Sequence, residues 1–221
     1  MQRATTFLGS SIGRKVAMAV SGLVLYGFVI GHMVGNLQIY LGPKAINDYG
    51  VFLREFLHGQ GIWIARAGLL AAVGVHLWAA ISLTLANWAA RPLGYREWQA
   101  RESTYASRTM VWSGPLLALF ILYHLAHLTF GAAHPEFVEG DVFHNVVAGF
   151  SNPLVSAFYV LAMLALGLHM FHGFWSMLHT LGLSHPRWNP LRRTASILLA
   201  AIVVAGNVSI PVAVLTGVVH L

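Results

Sequence analysis

Long apolar runs without charged residues alternate with short polar stretches along the chain. Each run is long enough for the roughly 20 residues that an α-helix needs to cross a bilayer. The fourth run begins at Pro153, directly after Ser151 and Asn152. Asparagine is a common helix cap and proline is favoured at the first position of a helix, so we expect this helix to begin there. The pattern predicts five transmembrane helices, near residues 15–41, 61–90, 109–133, 153–181 and 194–220.

The composition excludes an ordinary soluble domain. Of the 221 residues, 57% are hydrophobic and 9% are charged, whereas soluble domains carry about 25% charged residues. The longest connections between apolar runs have about 20 residues, which leaves no room for a separate folded domain. We therefore expect an all-α integral membrane protein, embedded in lipid, with a single transmembrane domain over residues 1–221. Because the chain has no cysteine, disulfides and thiolate-bound iron–sulfur clusters within it are excluded.

Basic residues concentrate on one side of the five predicted helices. Loops rich in lysine and arginine face the cytoplasm, so we expect a multi-pass protein with a cytoplasmic amino terminus and an external carboxyl terminus. We expect its membrane to be the bacterial cytoplasmic membrane. These residues lie in short loops without interleaved aromatic residues, and we expect no nucleic-acid partner. The ten of 13 basic residues on the amino-terminal side are Arg3, Arg14, Lys15, Arg91, Arg96, Arg101, Arg108, Arg187, Arg192 and Arg193.

Twelve histidines are unusual in a membrane protein, where polar side chains inside the bilayer must be satisfied or coordinated. In the first and third helices a histidine follows a Ser-Gly dipeptide by ten residues, and in the second and fourth helices another histidine follows 44 or 45 residues later. The repetition indicates that one kind of helix pair occurs twice. These histidines are, in chain order, His32, His76, His124 and His169.

The depth of each histidine predicts which of them can meet. With the helical rise of 1.5 Å per residue, His32 and His124 lie about 13 Å and 10 Å below the outer face. His76 and His169 lie about 22 Å and 24 Å below it. Two level pairs result, each joining one half of the bundle to the other. A haem held between two imidazoles in a four-helix bundle requires this arrangement, so the first four helices are predicted to form a di-haem bundle.

Alternatives remain open for the individual histidines. A histidine in a transmembrane helix can instead form an interhelical hydrogen bond. His127 and His172 follow two of the candidates by three residues on nearly the same face, and we expect them to bond to backbone, to a haem propionate or to quinone. Five histidines at helix ends or in loops are expected to be solvated, namely His58, His134, His144, His185 and His220.

Three segments carry a resemblance to a known family: FVIGHMVGN at residues 28–36, YASRTMVWSGPLLALFILYHLAHLTFG at residues 105–131 and LGLHMFHGFWS at residues 166–176. The chain resembles the cytochrome b membrane anchor of succinate dehydrogenases and fumarate reductases, of the single-polypeptide, five-helix, di-haem kind. The resemblance spans nearly the whole chain and includes the context of all four histidines.

The resemblance implies a complex in which a flavoprotein subunit oxidises succinate, an iron–sulfur subunit relays the electrons, and this chain anchors both and passes electrons to quinone. The chain itself would then lack the succinate site. By the family pattern, His76 and His169 ligate the haem b nearer the iron–sulfur subunit, and His32 and His124 ligate the outer haem b. The resemblance also implies menaquinone as the quinone, and it leaves open whether the complex forms a higher oligomer.

Two further residues bear on this resemblance. Arg108, just before the third helix, is a candidate for binding a haem propionate because guanidinium pairs with carboxylate in a bidentate manner, although positive-inside topology also explains it. Some fumarate reductases of this kind carry a glutamate at the position of Gly167, so a proton path through the fourth helix is not expected here. Two other functions are compatible with histidines on transmembrane helices: the cytochrome b subunit of a hydrogenase or formate dehydrogenase, and a transporter with a histidine proton relay, which the repeated helix pair would also suit.

Overall fold

The computed structural model describes residues 7–90 and 105–221, and it contains helices and no strand within those ranges. Arg3, Arg91, Arg96 and Arg101 of the predicted cytoplasmic side lie outside the described residues. The helices are α1 (Ser11–Asn36), α2 (Pro43–Glu55), α3 (Gln60–Ala89), α4 (Tyr105–His124), α5 (Val142–Ser151), α6 (Pro153–Thr180) and α7 (Asn189–Leu215).

The prediction of an all-α membrane protein with five spans is confirmed. By length and composition, α1, α3, α4, α6 and α7 are each able to cross a membrane. Side-chain caps fix two of their starts. The Ser10 hydroxyl accepts a hydrogen bond from the backbone N–H of Gly13 at 3.0 Å, and the side chain of Asn152 accepts one from Leu154 at 2.9 Å, with Pro153 at the first helical position.

The long helices run antiparallel to their main neighbours. Arg14 near the start of α1 donates to the carbonyl of Ser82 near the end of α3, and Arg192 near the start of α7 donates to the carbonyl of Trp175 near the end of α6. The principal packing is of α1 against α3, α4 against α6, and α6 against both α1 and α7. Following the predicted orientation, we call the end where α1 begins the inner end and the opposite end the outer end.

Two short helices cover part of the outer end. α2 packs against α5, and α5 packs in turn against α6 and α7. The Asn47 side chain joins α2 to α5, because its amide N–H donates to Asp141 and its carbonyl accepts from the backbone N–H of Phe143, both at 3.0 Å. Behind this junction lies a buried apolar cluster that includes Ile46 and Val147.

α4 ends in one turn of π-helix over Leu125–Thr129. The N–H of Phe130 donates to the carbonyl five residues earlier, that of Leu125, at 2.9 Å. Such a wide turn rotates the following side chains away from α-helical spacing, and π-helical turns are often found at functional sites. The turn begins directly after His124, and His127 lies within it.

Candidate functional site

Two histidines face each other in the outer half of the bundle. His32 lies one turn before the end of α1, and His124 is the last residue of α4. Their ring centroids are 5.8 Å apart and the ring planes are nearly perpendicular, at 87°. We call them the outer pair.

A second pair lies nearer the inner end. His76 of α3 and His169 of α6 have ring centroids 6.2 Å apart at an interplanar angle of 58°. We call them the inner pair. Neither α1 with α4 nor α3 with α6 belongs to the principal packing contacts of the described residues, so each pair joins helices whose backbones stand apart.

The spacing within each pair fits two imidazoles bound to one haem iron. A metal ion binds an imidazole nitrogen at about 2 Å, and the ring centroid lies about 1 Å behind that nitrogen, so two rings on opposite sides of one iron have centroids about 6 Å apart. Ser21, which contacts the inner pair, and His32 of the outer pair are separated by eleven residues of α1, so the two levels lie about 16 Å apart along the helix.

Serine hydroxyls lie beside both histidines of the inner pair. The Ser21 hydroxyl is 3.3 Å from Nδ1 of His76, and the Ser113 hydroxyl is 3.4 Å from Nδ1 of His169. Ser21 donates its own proton to the carbonyl of Ala17 at 2.8 Å, so its oxygen is free to accept from Nδ1–H of His76. A proton on Nδ1 leaves the lone pair of Nε2 available for a metal ion.

At the outer pair, a tyrosine hydroxyl instead of a serine hydroxyl lies beside Nδ1 of a histidine. Tyr159 of α6 lies 3.4 Å from Nδ1 of His124 and 3.0 Å from Nδ1 of His127. His127 is 2% exposed, and its ring stacks on that of His134 at 4.9 Å. The expected hydrogen bond of His127 to backbone, propionate or quinone is therefore replaced by one to a tyrosine side chain.

The expectation that His134 is solvated is wrong. Its side chain is 6% exposed, because the loop after α4 folds back over it. Nε2 of His134 lies 2.8 Å from the carbonyl of Asn145, and its Nδ1 accepts from the backbone N–H of Glu136 at 3.2 Å. His144 is partly buried and contacts the carbonyl of Glu136. The remaining three of this group, His58, His185 and His220, are exposed.

The other candidates lie towards the inner end. Arg108 is exposed in the first turn of α4. His172 is partly buried one turn after His169 and lines a cavity of about 330 Å³ together with Trp175 and His179. The structure therefore brings four of the five predicted site residues into two pairs, and Arg108 belongs to neither pair. The sequence alone does not assign a role to Ser21, Ser113 or Tyr159. The repeated Ser-Gly dipeptide is the pattern that could have pointed to the two serines.

A family model described as the succinate dehydrogenase/fumarate reductase transmembrane subunit matches residues 89–208, more than half of the chain. The matched range contains His124 and His169, one histidine of each pair. No curated protein and no solved structure matches the chain.

Proposed function

Since the chain belongs to the succinate dehydrogenase/fumarate reductase transmembrane subunit family, we propose that it is the di-haem cytochrome b anchor that passes electrons from the iron–sulfur subunit of that complex to membrane quinone. Family membership makes it a membrane anchor within an oxidoreductase complex that also contains a flavoprotein. On this proposal the chain contributes electron transfer and the quinone reaction, and succinate is oxidised elsewhere in the complex.

One observation carries the proposal. At each of two levels in the bundle, two histidines face each other at the spacing that a single iron requires. His32 and His124 would hold one haem b, and His76 and His169 the other. Bound there, a haem iron would accept and release one electron at a time. The hydroxyls of Ser21, Ser113 and Tyr159 add support, because acceptors at Nδ1 orient imidazole ligands and make them better donors.

The remaining parts of the proposal concern position and partners. Arg108, exposed at the inner end of α4, would pair with a haem propionate. The quinone would be menaquinone, and the whole chain from residue 1 to residue 221 would form one transmembrane domain of the bacterial cytoplasmic membrane. With a cytoplasmic amino terminus, the inner pair lies on the side where the iron–sulfur subunit docks.

Haem content tests the proposal directly. The purified chain, produced with ample haem supply, should show a reduced b-type spectrum and a pyridine haemochrome of about two haems per chain. His169→Leu removes one ligand of the inner pair, so it should lower the content to about one. His220→Leu makes the same change at an exposed side chain and should retain both haems.

A colourless wild-type chain would reject the proposal and favour a histidine-relay transporter. A His169→Leu variant with both haems intact would reject the assignment of ligands. If both results are as expected, assay of the intact complex with succinate and a soluble quinone analogue measures the electron transfer itself.

A further inference from the structure

Four side chains form a continuous network at the outer end of the bundle, from the loop after α4 to the outer pair. They are joined in the order His134, His127, Tyr159 and His124. In the inner pair, by contrast, a serine hydroxyl lies beside Nδ1 of each histidine, and among the described residues no tyrosine joins them to a loop. The network therefore distinguishes the outer pair from the inner pair.

The first member, His134, is held by backbone on both sides of its ring. Nδ1 accepts a hydrogen bond from the N–H of Glu136, so the proton of the neutral ring is on Nε2, which donates to the carbonyl of Asn145 at 2.8 Å. Both ring nitrogens are thus used by the outer loop and by α5, and the ring has a single orientation.

The second member, His127, is held between His134 and α5. The two imidazoles are stacked within 17° of parallel. A Cβ atom on Gly149 would lie 2.8 Å from Cε1 of His127 and 3.1 Å from Nε2 of His134. The absence of a side chain at this glycine lets α5 pack directly against the two rings, and this close packing holds His127 in place.

Tyr159 transmits this constraint to His124. Its hydroxyl has a single proton and lone pairs that can accept. Donation to Nδ1 of His127, the shorter contact at 3.0 Å, leaves the oxygen to accept from Nδ1–H of His124 at 3.4 Å. In this arrangement Nε2 of His124 carries the lone pair used for a metal ion.

We propose that Tyr159 is a positioning residue that, held in place by His127 and His134, orients His124 and lowers the redox potential of the iron at the outer pair. The inference rests on the proposed function, since it requires a haem there. An acceptor at Nδ1 increases electron donation by the imidazole and favours ferric iron. Within residues 7–90 and 105–221 the side chain of His32 forms no hydrogen bond, so Tyr159 increases electron donation at the outer pair through His124 alone.

Tyr159→Phe removes the hydroxyl and keeps the ring, which packs edge-on against Phe150 and Phe120. In a redox titration followed by absorbance, the ratio of ferrous to ferric outer haem at a fixed potential should rise by up to about tenfold. For one electron this corresponds to an upward shift of about 59 mV. Tyr123→Phe is the matched control, because Tyr123 stacks on His127 without a hydrogen bond to His124, and it should leave the potential unchanged.

Ser113→Ala identifies which haem responds. It removes the hydroxyl at His169 and should shift the inner-haem component only, whereas Tyr159→Phe should shift the other component. If both variants shift the same component, or if Tyr159→Phe with two bound haems shifts neither, the inference is overturned while the proposed function stands. A wild-type chain that contains no haem would instead overturn the proposed function.

His134→Gln tests whether the network acts through Tyr159. Glutamine lacks the ring that stacks on His127, so the variant should shift the outer component in the same direction by a smaller amount. In a Tyr159→Phe background the same change should have no further effect, because coupled residues are not additive. An equal shift in both backgrounds would show that His134 acts independently of Tyr159 and would overturn this part of the inference.

Discussion

At the scale of single residues, hydroxyl groups explain how the bundle tolerates polar side chains within apolar helices. Ser21 bonds to its own helix through Ala17 and still accepts from His76. Tyr159 satisfies His124 and His127 together. A polar group without a partner is costly in lipid, so these hydroxyls reduce the cost of burying the imidazoles and set their orientation at the same time.

The carboxylate of Asp141 is predicted to stabilise the outer end in a pH-dependent manner. Hydrogen bonds from the backbone N–H of His144 and from the amide of Asn47 lower the pKa of Asp141. Its contribution is therefore complete above the unfolded-state pKa of about 3.9 and is lost as the pH falls through the lower folded-state value. Asp141→Ala should lower the free energy of unfolding by about 1 kcal/mol at neutral pH. The difference in this free energy between the variant and the wild type should shrink below about pH 4, as measured by denaturant unfolding in detergent.

Asp48→Ala is the control for this experiment. Asp48 forms an exposed salt bridge with Lys44 in α2, and exposed pairs contribute no more than about 1 kcal/mol and often much less. An Asp141→Ala cost that is independent of pH between neutral and strongly acidic conditions would show that the ionised carboxylate is not the stabilising species.

The sequence allows the four histidines to be paired by depth because helical rise is constant, so that counting residues gives the level. It does not allow Tyr159 to be found in the same way, since its contact with His124 depends on the register of α6 against α4. The structure supplies this register, because Ser113 of α4 lies level with His169 of α6. Towards the outer end, eleven residues after Ser113 is His124, and eleven residues before His169 is the position next to Tyr159. The burial of His134 depends on how the outer loop folds, which no periodic pattern encodes.

At the scale of elements, the five long helices are predictable because an apolar run of 20 or more residues has few alternatives. α2 and α5 are shorter, and the sequence pattern does not predict them as helices. Their formation depends on packing against each other and against the long helices. The π-helical turn after His124 was also not predicted, and it matters for the site. In a regular α-helix, His127 would lie on nearly the same face as His124. In the structure it bonds to the Tyr159 hydroxyl that also lies beside His124, and its ring stacks on that of His134 in the outer loop.

The close approach of α6 and α7 at Gly167 is predicted to be sterically limited. A Cβ atom there would lie 2.5 Å from Cγ2 of Val204. Gly167→Ala should therefore cost about 1–3 kcal/mol through overpacking. Val204→Ala removes the obstructing methyl group, so Gly167→Ala made in that background should cost much less. Unfolding of the four proteins of this double-mutant cycle in detergent measures the coupling.

Gly68→Ala provides the control, because a Cβ at this exposed position of α3 contacts nothing within 4 Å. It should be neutral or stabilising by up to about 1 kcal/mol. Equal costs of Gly167→Ala with and without Val204 would contradict the steric explanation. The same contact shows that residue 167 is turned towards α7, where a glutamate side chain would meet Val204.

At the scale of the whole molecule, the two ends of the bundle differ in structure and in charge. α2 and α5 cover part of the outer end and carry the hydrogen-bonded junction at Asn47. The inner end holds Arg14 and Arg192, whose guanidinium groups donate to backbone carbonyls. Lysine and arginine are retained on the cytoplasmic side during insertion. On the proposed function, the inner end would therefore face the cytoplasm and the inner pair would lie next to the soluble subunits of the complex.

This orientation can be measured because the natural chain has no cysteine. His58 and His185 are both exposed, the first in the connection from α2 to α3 at the outer end and the second in the connection from α6 to α7 at the inner end. A membrane-impermeant maleimide should label His58→Cys in intact cells and should label His185→Cys only after the membrane is permeabilised. The reverse pattern would place the outer pair next to the soluble subunits. Labelling of both variants in intact cells would contradict the odd number of spans between the two positions, because α3, α4 and α6 must carry the chain from one side of the membrane to the other.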